Sequence, residues 1–281
     1  MYTKNTLDDI KIEENYKDNY WYITKHDMNI ENICYALKIL MEWKKSGKFT
    51  EMKYEDYLKM VNEKANKKFN NFRVVSNADY LGLATTSAPK KNYKNKEATK
   101  IFYEIYDKCE GEFGNTEKYY SLFERQVEKM YLTHIMDEKI ERQRFTIHPL
   151  FVLYRILLII KKFTGEAKIT TQEYKSFVCF IEKYEDSYTC AFNILKSRIA
   201  YEIDVKEVAK KIDNSRIHLM FGQLDTLNLT KKDISIKETH IDYVLEKVKN
   251  YEKYVLSKVN KKNMQAALIE DKDIFNFYKG I

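Results

Sequence analysis

Two stretches in opposite halves of the chain run through the same order of residue types: NNFRVVSNADYLGL at 70–83 and NSRIHLMFGQLDTLNL at 214–229. Each opens on small polar residues beside an arginine, continues with apolar residues at helical spacing, and closes on Leu-Gly-Leu or Leu-Asn-Leu. A lysine-bearing segment follows each one, ATTSAPKKNYKNKEATK after the first and TKKDISIKETHI after the second. Two copies of one arrangement are harder to obtain by chance than one, so the chain is expected to contain a repeated structural unit. In the first copy Phe69, Phe72, Val75 and Ala78 share one side of a helix, and Asn70, Arg73 and Asn77 form an i, i+3, i+7 stripe opposite. Gly82 supplies the left-handed residue that ends such a helix.

Helices are predicted ahead of each copy. IENICYALKILMEWKK places Ile30, Ile33, Leu37, Leu40 and Trp43 at helical spacing, and YEDYLKMVNEKANKKF follows as a second helix. In the other half HPLFVLYRILLIIKKF opens behind Pro149, and ITTQEY, with Thr170 or Thr171 and Glu173, has the form of a capped helix start. DVKEVAKKIDNSRIHLMFGQLDTLNL fits helix-turn-helix, with Val205, Val208 and Ala209 on the first helix and Ile212 in the turn. Ile217, Phe221, Leu224 and Leu227 then face the core. Ile234 and Ile236 alternate as in a strand. With 7 glycines and 2 prolines in 281 residues, few tight turns are available, and 44% hydrophobic content can fill a substantial core. The expected fold is mainly α, with two winged-helix (helix-turn-helix) subdomains joined by a helical connector. The divisions are an N-terminal arm at 1–28, subdomain 1 at 29–111, a connector at 112–145, and subdomain 2 with closing helices at 146–281.

The net charge of +7 is modest, but its distribution is not uniform. Lys64 to Lys100 holds nine basic residues against Asp79 and Glu97, an excess equal to that of the whole chain. Concentrated positive charge favours polyanions, because association releases counterions condensed on phosphate backbones; a solvated lysine-rich surface is the plainer alternative. In a helix-turn-helix the start of the second helix enters the major groove. That selects Asn70, Asn71, Arg73 and Asn77 in the first unit, and Asn214, Ser215, Arg216 and His218 in the second. Arginine meets guanine O6 and N7 together, and asparagine meets adenine N6 and N7. Asn214 and Ser215 also suit helix capping, and His218 also suits a partly buried surface position. Lys68, Lys90, Lys91, Lys94 and Lys96, then Lys231 and Lys232, are matched to phosphates. Lys4, Asn5 and Lys11 of the arm could enter a groove, with a disordered tail as the alternative.

Cys34, Cys109, Cys179 and Cys190 are widely spaced, which suggests neither a disulfide framework nor a zinc site, and buried thiols are expected. No apolar stretch suits a signal peptide or a membrane span, so a soluble cytoplasmic protein is expected. Glu51-Met52-Lys53, Glu166-Ala167-Lys168 and Glu270-Asp271-Lys272 have the spacing of a nuclease Glu-x-Lys, in which carboxylates hold Mg2+. None is predicted to lie beside a strand, and such triplets arise by chance in so charged a chain. No catalytic site and no bound metal or cofactor are expected in this stretch.

FTIHPLFVLYRILLIIKKFTGEAKITTQEYKSFVCFIEKYED together with FRVVSNADYLGL resembles the DNA-recognition region of Type IIS restriction endonucleases with consecutive winged helices, the FokI and AlwI-like kind. The resemblance covers nearly the whole chain in architecture. It implies a bacterial restriction-modification protein, and reading of a short asymmetric site in double-stranded DNA. It also implies a separate C-terminal nuclease domain that uses Mg2+, and a monomer when the recognition part is isolated. A complete Mg-dependent endonuclease and a winged-helix transcriptional regulator are the alternatives, with RNA binding behind both.

Overall fold

The structure, a computed structural model, describes residues 20–21, 29–47, 53–64, 73–86, 96–132, 145–200, 217 and 221–281, with only the backbone at 54, 73, 74, 76 and 200. It is mainly helical, with short strands in two small antiparallel sheets. Among the described residues no helix is long and apolar enough to cross a membrane. The described chain divides into two compact units.

The first unit opens with α1 (Ile30–Lys45), which buries Ile30, Ile33, Leu37, Leu40 and Trp43, the residues its periodicity selects. The Asn29 side chain accepts from the Asn32 N–H at 2.9 Å, satisfying one of the donors left over at a helix start. Helices α2 (Tyr54–Lys64) and α3 (Arg73–Tyr80) both pack on α1. Gly82 then takes the left-handed conformation, at φ 62°. Leu81 and Leu83 on either side of it are buried. Strands β1 (Ala84–Thr86) and β2 (Lys96–Ala98) pair antiparallel, with Ala84 opposite Ala98. Helix α4 (Lys100–Lys108), a 3-10 turn at Thr116–Tyr119 and α5 (Tyr120–Lys129) complete this passage of the chain.

The second unit is built around α6 (Pro149–Thr164), whose proline occupies the first turn, where its missing N–H costs nothing. Gly165, at φ 84°, ends the helix. Strand β3 (Lys168–Thr170) runs into α7 (Thr171–Ser176) through a capping box: Thr170 Oγ1 accepts from Glu173 N, and the Glu173 carboxylate accepts from Thr170 N. Helix α8 (Ser187–Ala200) follows, and the chain is helical again at Ile217 and Phe221. Strands β4 (Leu227–Leu229) and β5 (Asp233–Ile236) and helix α9 (Ile241–Tyr254) come next. The sheet order is β3-β5-β4, all antiparallel, with Ile169, Leu227, Ile234 and Ile236 buried. Helix α6 packs on β3, β5, α8 and α9. Phe151 stacks on Tyr251 at 4.3 Å in this core. Trp21 belongs here too: its backbone N–H donates to Cys179 O at 2.7 Å and its indole N–H to Ile181 O at 2.8 Å.

Helices α10 (Lys261–Ile269) and α11 (Ile274–Lys279) return to the first unit from Lys262 onward. The units are therefore not successive segments. Of the closing helices expected with subdomain 2, α9 stays in the second unit while α10 and α11 complete the first, and the expected connector 112–145 is divided between the units at Met130 and Tyr131. The cause is local: α5 and α11 pack together and bury Leu122, Phe123, Ile274 and Tyr278 in the first unit, so the start of the expected connector belongs to a core. All four cysteines are buried free thiols, as their spacing suggested.

Candidate nucleic-acid interface

The first hairpin is fixed to its helix by a buried polar cluster. Lys96 Nζ on β2 donates to the Asp79 carboxylate on α3 and, at 3.2 Å, to Thr86 Oγ1 on β1. Thr86 Oγ1 in turn donates to Asp79 Oδ1 at 3.1 Å. Lys44 at the end of α1 donates to Lys96 O at 2.8 Å and to the Glu97 carboxylate. Burial pushes the Lys96 ammonium down to about 7.

This geometry corrects two assignments made from sequence. Lys96 is 4% exposed, and an ammonium already seated on a buried carboxylate has no face left for a phosphate. Asn77 is 1% exposed, and it cannot reach a base edge. The helical stripe that placed it opposite the core assumed one apolar face. In fact Val75, Asn77, Ala78 and Asp79 are all buried, because α1 packs on α3 and the hairpin folds back against its end. Arg73 is the first residue of α3. Asn70, Asn71 and Lys68 precede it outside the described residues, as do Lys90, Lys91 and Lys94 in the 87–95 segment between β1 and β2. The excess of positive charge at 64–100 survives, because the buried pair removes one charge of each sign.

In the second unit the β4–β5 turn carries Lys231 and Lys232, both exposed. Thr230 closes the turn: its N–H donates to Asp233 O at 2.9 Å, and its Oγ1 accepts from Asp233 N at 2.9 Å and from Lys232 N at 3.2 Å. The turn is also tied to another element. Thr171 N–H donates to Lys232 O at 2.7 Å, and Thr171 Oγ1 donates to Lys231 O at 3.3 Å. Behind Thr171, Arg198 on α8 grips Glu173 with two bonds, at 2.7 and 2.8 Å, and donates to Lys168 O at 3.1 Å. Neither Thr171 nor Thr230 was selected from sequence as part of the site. The Thr-Lys-Lys-Asp run of 230–233 is the local turn pattern that points to it. Asn214, Ser215, Arg216, His218, Lys4, Asn5 and Lys11 lie outside the described residues.

The Glu-x-Lys triplets have different surroundings from those expected. Glu166-Ala167-Lys168 leads directly into β3, where no strand was predicted, and Lys168 Nζ stands 3.8 Å from Asp233 Oδ2. A three-residue strand is too short to leave an alternating pattern in the sequence. Glu270 and Lys272 lie between α10 and α11, with no strand beside them among the described residues. Glu51 and Met52 are outside the described residues. Among the described residues no group of three or more His, Cys, Asp or Glu side chains is placed to hold a metal ion. No family model, no curated protein and no solved structure matches the chain.

Proposed function

We propose that the chain is the sequence-specific recognition module of a bacterial restriction endonuclease, binding a short asymmetric site in double-stranded DNA. In this reading each unit is a winged helix, and cleavage belongs to a separate Mg2+-dependent nuclease domain. The observation that carries it is the second unit's order of elements: helix, strand, helices, then a strand pair, with β5 central and an exposed lysine pair at the strand turn. That order puts a helix ahead of a basic hairpin, the arrangement in which a helix reads the major groove while hairpin lysines hold phosphates. The first unit supports it with three helices ahead of a hairpin whose connecting segment contains Lys90, Lys91 and Lys94. Within this reading Asn70, Asn71, Arg73, Asn214, Ser215, Arg216 and His218 remain the base-reading set.

Selection of bound duplexes from a randomised pool tests the proposal. A single asymmetric consensus bound in the nanomolar range is the expected result. A palindrome would favour a dimeric transcriptional regulator, and no enrichment would remove DNA recognition altogether. On the selected duplex, Arg73→Ala should cost about 1–3 kcal/mol and relax preference at one base pair. Equal loss on cognate and random DNA would withdraw Arg73 from base reading. One observation favours a second reading, a complete endonuclease: Glu166 and Lys168 lead into a strand that brings Lys168 near Asp233. Incubation of the chain with plasmid and Mg2+ decides it, since cleavage abolished by Glu166→Gln would establish catalysis here.

A further inference from the structure

We infer that Thr171 is a positioning residue for phosphate contact: it holds the Lys231–Lys232 turn at the start of α7, so that both ammonium groups project from a fixed base. The inference rests on the DNA-binding reading and adds to it the device that orders this hairpin. The lysine side chains are exposed, yet the carbonyls of both residues are held by one residue far away in sequence. Thr171 N–H donates to Lys232 O at 2.7 Å, and Thr171 Oγ1 donates to Lys231 O at 3.3 Å.

Thr171 is itself held on both sides. Ahead of it, Thr170 pairs with Asp233 in the β3–β5 ladder and caps α7 together with Glu173. Behind it, Glu173 is clamped by Arg198, whose guanidinium also holds Lys168 O. Within the turn Thr230 binds the backbone N–H groups of Lys232 and Asp233. The backbone that sets the direction of the lysine pair is thus bonded both to the β3–α7 junction and within the turn. A phosphate contact made from such a base orders only the lysine side chains on binding, and the backbone entropy has already been spent in folding.

Helix geometry provides a clean perturbation, because Thr171 is the first residue of α7, a position that tolerates proline. Thr171→Pro removes both donors to the turn, Thr171→Val removes the hydroxyl alone, and Thr171→Ser keeps both. The probe is a fluorescent duplex of mixed sequence titrated over a series of salt concentrations, with thermal melting of each variant alongside. Lys231→Ala/Lys232→Ala should flatten the plot of log affinity against log salt by up to about 1.8, at about 0.9 for each phosphate that is no longer neutralised. Thr171→Pro should flatten it in the same sense, Thr171→Val by less, and Thr171→Ser not at all. In the lysine-free background Thr171→Pro should have no further effect.

An equal loss from Thr171→Pro with and without the lysines would overturn the positioning role, as it would act elsewhere. Unchanged binding by Thr171→Pro and Thr171→Val, with the lysine variant weakened, would overturn it too and leave the DNA reading standing. A lysine-free variant that binds like the parent overturns phosphate contact by this hairpin, and the inference with it. A chain that binds no duplex at all fails the functional reading itself.

Discussion

At the scale of single residues, the side chains that carry charge in the sequence divide into those that face outward and those that hold the fold. Lys96 belongs to the second kind. Its ammonium and the Asp79 carboxylate are each about 5% exposed, and Thr86 satisfies a further bond of each. Removing one partner of a buried pair strands the other charge, so Lys96→Met should cost about 3–5 kcal/mol, whereas Lys96→Met with Asp79→Leu should recover most of that. Urea unfolding of the two singles and the double measures it; additive losses would show that the pair contributes nothing as a pair. His148 is a second case, fully buried at the start of α6, with Nδ1 3.1 Å from the Tyr251 hydroxyl. Burial pushes its pKa down to about 3, so the folded protein holds it neutral while the unfolded chain takes up a proton from about pH 6.5 downward. Its contribution is full above about 6.5 and is lost as the pH falls toward about 3, at up to about 1.4 kcal/mol for each pH unit. His148→Gln should flatten the acid limb of stability against pH between those limits; an unchanged slope would mean that other groups control acid unfolding.

At the scale of elements, what was legible in the sequence was whatever a short window determines. The α1 stripe, the Thr170–Glu173 cap, the proline start of α6, the Ile234–Ile236 alternation and the Gly82 stop each depend on neighbours within one or two turns, and each is present. Illegible were the features fixed by distant partners. Asn77 reads as exposed until α1 and the hairpin cover α3, Lys96 reads as a phosphate ligand until Asp79 meets it, and β3 exists only because β5 pairs with it. The Leu-Gly-Leu turn joins the two kinds. Its glycine is required locally, at φ 62°, and again by tertiary approach, since an added Cβ would stand 2.2 Å from Leu268 O. Gly165, at φ 84°, has the first requirement without the second, with nothing within 4 Å of an added Cβ. Gly165→Ala should therefore cost only the left-handed penalty, about 1–2 kcal/mol, and Gly82→Ala distinctly more because a backbone carbonyl must move. Equal shifts in the urea midpoint for the two would mean that α10 yields freely at that approach.

At the scale of the whole molecule, the order of the chain and the order of the units differ, and this has a consequence for stability. The first unit is closed by residues that follow the entire second unit: Met264, Leu268, Ile274 and Tyr278 are buried, and each large apolar side chain is worth about 1.5–3 kcal/mol of transfer free energy. Two polar interactions depend on the same segment. Gln126 Nε2 bridges Leu81 O at 2.7 Å and Leu268 O at 2.9 Å, and the buried Lys129, pushed down to about 8 by its burial, donates to Glu270 O at 2.7 Å. The burial that truncation would remove is alone comparable with the net stability of a typical domain, about 5–15 kcal/mol. Truncation after Lys261 should therefore unfold the first unit while the second, whose core contains none of these side chains, keeps its protection. Amide hydrogen exchange distinguishes the outcomes: α1, α3 and α5 should exchange freely in the truncated chain and α6, α8 and α9 slowly. Slow exchange throughout would mean that α10 and α11 only decorate a unit stable without them. Free exchange throughout would mean that the second unit depends on the first.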